Sequence, residues 1–170
     1  KLCCVDKANV LESSRLWRET VQAMEKDYPE VTVSYEFVDA VAMRLVQWPN
    51  SYDVMITENL FGDILTDEAS VISGSMGLMP SASKGVHTSL YEPIHGSYPQ
   101  AAGKDIANPL ATVLSAAMMF EDAFGLKEEA EAIREVVNKS LAAGIVTEDL
   151  AGSNKTYKTS EVGNWLAENI

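Results

Sequence analysis

The sequence predicts a mixed α/β fold built on a mainly parallel sheet, and two observations carry that expectation. Before residue 73, short apolar runs alternate three times with segments of helical period. This βαβαβα order lays parallel strands side by side with helices packed against them. The 170 residues are 46% hydrophobic and 22% charged, an ordinary globular balance for a chain about one domain long. Such a chain buries ~70% of the surface its unfolded form exposes, so no staples are needed to build a core.

The elements follow in order. Lys1 to Val5 is a short apolar run that suits a buried strand. Asn9 is placed to cap a helix carrying Val10, Trp17, Val21 and Met24, which ends at Tyr28-Pro29. From Val31 to Val38 apolar and polar residues alternate as in a strand. Asp39 then opens a helix bearing Val41, Leu45 and Trp48, stopped by Pro49. Asp53 to Thr57 reads as a third buried strand, followed by a helix over about 59–72. Residues 73–85 hold three Gly, one Pro and four Ser, the composition of a loop or interdomain crossing. Ser89 to Ile94 reads as a strand. Pro109 begins a helix with Leu110, Val113, Leu114, Ala117 and Met118 on one face. A further helix runs from about Lys127 to Ala143, with Ile133, Val137 and Leu141 inward and Gly144 as its C-cap. Ser160 starts a short terminal helix.

Charge and cysteine content narrow the function classes. Thirteen Lys and Arg against 25 Asp and Glu give a formal net charge of −12. That field repels phosphate backbones and anionic bilayers, so neither nucleic acid nor membrane is an expected partner. No apolar run approaches the ~20 residues of a membrane span. Cys3 and Cys4 are adjacent, a spacing that seldom meets disulfide geometry, so a reduced, cytoplasmic setting is expected. The chain begins at Lys1 inside a strand-like run, as a piece of a longer protein would.

Three segments could carry chemistry. In Asn59-Leu60-Phe61-Gly62-Asp63-Ile64-Leu65-Thr66-Asp67-Glu68, a helical pitch of about 100° per residue sets Asp63 and Asp67 ~40° apart, one above the other. Their hard oxygens suit Mg²⁺ or Mn²⁺, and Asp39 at a strand-to-helix junction is a natural third ligand. The alternative is a solvated acidic helix end. Leu60, Phe61, Ile64, Leu65 and Val71 form a separate apolar stripe. Second, Val5-Asp6-Lys7-Ala8-Asn9 lies at the end of a strand, where ligands bind in open α/β sheets. Lys7 is there a candidate proton acceptor, or simply an exposed loop lysine. Third, the small-residue loop from Glu92-Pro93-Ile94-His95-Gly96-Ser97 to Asn108 lets backbone amides approach a nucleotide on which His95 could stack. No Gly-x-Gly-x-x-Gly fingerprint occurs. A Ser/Thr nucleophile triad is hard to build with only His87 and His95 available as bases, and zinc lacks its usual Cys/His clusters.

Taken together these pieces resemble the isopropylmalate dehydrogenases of the isocitrate/isopropylmalate dehydrogenase family. The resemblance rests on Asp6-Lys7-Ala8-Asn9-Val10-Leu11, Phe37-Val38-Asp39-Ala40-Val41-Ala42-Met43, and the run from Thr57 through Asp63 and Asp67 to Ser70. It continues through Gly77-Leu78-Met79-Pro80-Ser81-Ala82-Ser83, Glu92-Pro93-Ile94-His95-Gly96-Ser97, Ile106-Ala107-Asn108-Pro109 and Leu114-Ser115-Ala116-Ala117-Met118-Met119. Order and spacing agree over essentially the whole chain, which corresponds to the family's C-terminal half.

The resemblance implies the family's two-domain α/β fold, unrelated to Rossmann. Residues 1–73 would be part of the inner, substrate- and metal-binding, dimer-forming domain, and 74–170 part of the nucleotide-binding domain. It implies NAD-dependent oxidation and β-decarboxylation of 3-isopropylmalate in leucine biosynthesis, with isocitrate, homoisocitrate or tartrate as sibling substrates. A non-catalytic dimerisation fragment is the other expectation for these 170 residues, because the family's substrate-binding arginines and acid tyrosine lie upstream. Lys7 matches the catalytic lysine. Asp39, Asp63 and Asp67 match the Mg- or Mn-binding aspartates, with Asp39 also touching substrate. His95, Gly96, Ser97, Tyr98, Pro99, Gln100 and Asn108 match the NAD segment. In the implied homodimer, Lys7 and Asp39 complete the partner subunit's site, and the apolar stripe beside Asp63 faces the partner or its own sheet. One departure concerns the cofactor. Many members have Ala-Pro-Asp followed by Ile or Leu where this chain has Tyr98-Pro99-Gln100-Ala101. Gln100 lacks the charge that repels a 2′-phosphate, yet neither 100 nor 101 is basic, so NAD remains the expected cofactor.

Overall fold

The computed structural model describes residues 1–170, which form two compact units, Lys1–Ile72 and Ser73–Ile170. The first unit is a three-stranded parallel sheet in the order β2-β1-β3, with β1 Leu2–Asp6, β2 Val33–Phe37 and β3 Val54–Ile56. Leu2 aligns with Val33 on one side and Val54 on the other, and Asp6 aligns with Phe37. As the central strand, β1 is apolar through Cys3, Cys4 and Val5, all buried, as a strand covered on both faces should be. Burial pushes the Cys4 thiol up to about 11, so it packs as a small hydrophobe.

Three helices connect and cover the sheet: α1 Glu12–Met24, α2 Val38–Gln47 and α3 Asn59–Ser73. Val41 and Leu45 of α2 and Leu65 of α3 meet Cys3 and Val5 in the core. Helix α1 begins later than the sequence suggests. Asn9 lies in a turn, Leu11 takes the N-cap position without a side-chain bond, and Val10 is exposed. The turn is instead closed by the Lys7 carbonyl, which accepts from the amides of Val10 and Leu11. Trp48 likewise points to solvent instead of joining Val41 and Leu45. The apolar stripe of α3 divides: Leu65 is in the core, while Leu60, Ile64 and Val71 are exposed.

The second unit opens with more order than its Ser/Gly-rich composition suggests. A 3₁₀ turn, Met76–Leu78, leads into β4 Pro80–Ser83, which pairs antiparallel with β5 Leu90–Pro93. Proline is tolerated in both strands because a two-stranded ribbon has only edges. Helices α4 Leu110–Phe124, α5 Lys127–Ala143, α6 Glu148–Ala151 and α7 Thr159–Asn169 complete it. Leu110 of α4, Val136 and Val137 of α5, and Val162 and Leu166 of α7 form its core. Gly125 and Gly144 end α4 and α5 in the left-handed conformation, as expected of glycine C-caps. The short α6 has no counterpart in the sequence reading. At four residues it is too short to show a period.

Candidate active-site residues and nucleotide cavity

In the first unit, the parallel sheet places every strand-to-helix junction at one end, where open α/β sheets bind ligands. Lys7 follows the last residue of β1, and Asp39 sits in the first turn of α2 just after β2. Their side chains meet, with Lys7 Nζ donating to Asp39 Oδ1 at 2.5 Å. That bond, more than any other cause, holds the Asp39 carboxyl below the usual carboxylate range. Lys7 Nζ also lies 5.7 Å from the centre of the Phe37 ring, a cation–π distance.

Asp63 and Asp67 stand one turn apart on α3, exposed, and neither is paired with a lysine or arginine. Two unpaired carboxylates at i, i+4 repel each other, and a hard divalent cation relieves that repulsion. The chain does not gather three His, Cys, Asp or Glu side chains into a group that could hold a metal ion. Asp39 therefore does not join Asp63 and Asp67 within one chain. The donor set of α3 fits a Mg²⁺- or Mn²⁺-type ion but supplies it with two carboxylates, not three.

The second unit contains a cavity of about 540 Å³. His95, Gly96, Tyr98 and Asn108, all expected nucleotide contacts, line it together with Ile106 and Ala107. Ser97, Pro99 and Gln100 are exposed and outside its lining, Pro99 and Gln100 lying in a 3₁₀ turn. The remaining lining residues, Met76, Gly77, Glu148 and Asp149, went unrecognised in the sequence.

The cavity wall is held by a hydrogen-bonded knot around Asp149. Asn108 Nδ2 donates to Asp149 Oδ2 at 2.9 Å, while Asn108 Oδ1 accepts from the Leu110 amide at 2.9 Å. Both ends of the amide are thus committed, which fixes its orientation. Ser75 Oγ also donates to Asp149, and Thr147 Oγ1 donates to Asp149 Oδ1 at 2.5 Å. Burial alone would push the Asp149 carboxyl up, but the bonds from Ser75, Thr147 and Asn108 outweigh it and hold the group below its ordinary value. Gly77 lies so close that a Cβ there would come within 2.6 Å of Asn108 Cβ. Tyr98 (φ 44°) and Asp105 (φ 58°), the two non-glycine residues with positive φ, both fall in this loop. Asp105 is held in that conformation by Ser160, whose amide and hydroxyl donate to its carboxylate at 2.9 and 2.6 Å. Backbone strain retained by surrounding bonds is a common mark of ligand sites.

A parallel sheet carrying a lysine–aspartate pair and an acidic helix, and a second unit with a small-residue cavity, define a class of α/β proteins. Comparison with known proteins identifies which. The isocitrate/isopropylmalate dehydrogenase family model matches residues 1–166, and the chain belongs to that family. A 3-isopropylmalate dehydrogenase of Bacteroides fragilis is 56% identical over 170 residues, covering 99% of this chain and 48% of the relative. That of Oceanobacillus iheyensis is 59% identical over 150 residues, covering 88% and 41% respectively. Among solved structures, isocitrate dehydrogenase from Methylococcus capsulatus superposes with a TM-score of 0.94 at 37% identity, over 99% of this chain and 50% of that one. The fold is therefore that of the family. The chain spans about half the length of the curated relatives it matches.

Proposed function

We propose that the full-length polypeptide carrying this chain oxidises 3-isopropylmalate with NAD and releases its β-carboxylate as CO₂, in the cytoplasm, as a step of leucine biosynthesis. The Lys7–Asp39 contact at the sheet end is the observation that carries this reading. It sets a proton-exchanging amine against a carboxylate that keeps it oriented, as removal of a hydroxyl proton requires. When bound, NAD would supply the hydride acceptor and a divalent ion would supply positive charge for the substrate oxygens. Asp63 and Asp67 would hold that ion, and Asp39 would contribute the third carboxylate and touch substrate. Identities of 52–59% to relatives named 3-isopropylmalate dehydrogenase, against 37% to the solved isocitrate dehydrogenase, favour isopropylmalate over isocitrate.

The second unit's cavity would hold the nucleotide, with His95, Gly96 and Asn108 of its lining as the residues that would contact it. Glu148 and Asp149 are the acidic groups in the lining. They repel a 2′-phosphate, a part that Gln100 cannot play, and this supports NAD over NADP. Exposed Leu60, Ile64 and Val71 on α3 support a homodimer, in which Asp39 and Lys7 of one protomer complete the site built on Asp63 and Asp67 of the other. Steady-state assays of the full-length protein on 3-isopropylmalate, isocitrate, homoisocitrate and tartrate, each with NAD and NADP and with Mg²⁺ or Mn²⁺, test the reading. The highest kcat/KM is expected for 3-isopropylmalate with NAD. A preference for isocitrate would overturn the substrate assignment.

A further inference from the structure

Asp6 is fully buried at the end of an otherwise apolar strand, where Cys3, Cys4 and Val5 show what the position would ordinarily hold. Its carboxylate makes three bonds. Arg18 of α1 donates to it twice, Nε to Oδ2 at 2.7 Å and Nη2 to Oδ1 at 3.0 Å. The Ala8 amide donates to Oδ1 at 2.8 Å. That last bond reaches from residue 6 to residue 8 and closes an Asx-turn whose middle residue is Lys7. The Lys7 carbonyl is fixed as well, accepting from the Val10 and Leu11 amides at 2.9 Å each. Lys7 therefore leaves the sheet with its backbone bound on both sides.

Arg18 extends the same arrangement to the residue that faces Lys7. Its guanidinium lies 5.5 Å from the Tyr35 ring and 5.2 Å from the Phe37 ring, and the ammonium of Lys7 lies near that same Phe37 ring. Phe37 precedes Asp39 by two residues. One bracket, Asp6–Arg18–Phe37, thus holds the origin of Lys7 and the approach to Asp39.

We infer that Asp6 is a positioning residue: through its turn onto the Ala8 amide, braced by Arg18, it aims Lys7 at Asp39 in the orientation needed for proton exchange with the substrate hydroxyl. Stability alone gives little reason for a carboxylate here, because a buried ion pair is often no more stabilising than well-packed apolar side chains of similar volume. The inference rests on the proposed role of Lys7.

That physical point also supplies the test, made in the full-length protein. Asp6→Leu with Arg18→Met removes both charges and the turn acceptor while keeping the site filled. Asp6→Asn with Arg18→Met also removes both charges but leaves a carbonyl oxygen for the Ala8 amide. Positioning errors near 1 Å can cost ~100-fold in rate. The asparagine pair is therefore expected to keep at least about 30 times the kcat of the leucine pair, with the KM for NAD the same in both. Asp6→Glu is the second measurement, since it retains the charge for Arg18 but carries its oxygens one methylene away from the turn. Its kcat is expected to fall like that of the leucine pair. Equal kcat in the two pairs, or a fully active Asp6→Glu enzyme, would overturn the positioning role while an inactive Lys7→Met enzyme left the reading of Lys7 standing. A fully active Lys7→Met enzyme would remove both.

Discussion

Gly77→Ala probes the proposed nucleotide cavity through a single methyl group. The new Cβ would lie 2.6 Å from Asn108 Cβ and 2.7 Å from its Cγ and Nδ2, distances at which something must move. The obstacle is the base of the Asn108 side chain, not a flexible tip, and that side chain is bonded at both ends, to Asp149 and to the Leu110 amide. Turning it away gives up both bonds. A bond to a carboxylate contributes about 1.5–3 kcal/mol and a neutral one about 0.5–1.5; Asp149, although partly buried in the cavity wall, keeps much of its surface in solvent, which argues for the lower end of the first range. The expected loss is therefore about 2–3 kcal/mol for the second unit, close to the cost of overpacking a tight site. Urea unfolding followed by circular dichroism should show a midpoint lowered by about 1 M, given a slope of about 2–3 kcal/mol/M. Titration of the full-length protein with NAD should show Kd raised at least about tenfold, because the displaced side chain lines the cavity. Gly96→Ala provides the control, since a Cβ there meets nothing within 4 Å, and its unfolding midpoint should stay with the parent. An unchanged midpoint and Kd in Gly77→Ala would refute the view that Asn108 is locked in place.

Two further outcomes follow from the charged groups. Asp63→Asn with Asp67→Asn is expected to abolish Mn²⁺ binding by the full-length protein, read by the paramagnetic resonance signal of free Mn²⁺. An unaltered titration would remove α3 as the metal site. The second concerns acid pH: Ser160 holds the Asp105 carboxyl below its ordinary value, so this contribution to stability is present above the unfolded pKa of about 3.9 and is lost as pH falls through the lower folded pKa. Ser160→Ala should therefore be less stable than the parent at neutral pH, with the difference closing on acidification below about pH 4; a constant difference down to pH 2 would show that the carboxylate charge plays no part.

What was legible in the sequence divides along physical lines. Helix α5 was readable end to end because its period is long and Gly144 marks its stop. Lys7 and Asp39, 32 residues apart, could be placed at the same end of the sheet because parallel strands put all their junctions there. Three things were not readable. Strand β4 was hidden because its pairing with β5 overrides the local preference of a Ser- and Pro-containing segment. The α3 stripe looked continuous, but only Leu65 turns into the core, and periodicity does not tell a core face from a face left for another surface. The Asp149 knot ties residues 41 and 74 positions apart through hydroxyl, amide and carboxylate groups, whose partners carry no spacing rule.

The separation of Asp39 from the Asp63–Asp67 pair leads to a quantitative test of the shared site. If each site combines Lys7 and Asp39 from one protomer with Asp63 and Asp67 from the other, two inactive full-length variants can complement one another. A heterodimer of Lys7→Met with Asp63→Asn, Asp67→Asn has one site that collects every defect and one that collects none. Random exchange between equal amounts of the two variants makes about half of the dimers mixed, and each mixed dimer has one intact site of two. Specific activity should then rise from background to about a quarter of the parent value, as two-fold symmetry requires. Sites confined to single chains would leave the mixture as inactive as its parts, because every site would keep one defect. Recovery to about a quarter would therefore assign Lys7 to the partner subunit's site, and with it Asp39, the carboxylate Lys7 holds and that this chain does not bring to its own α3.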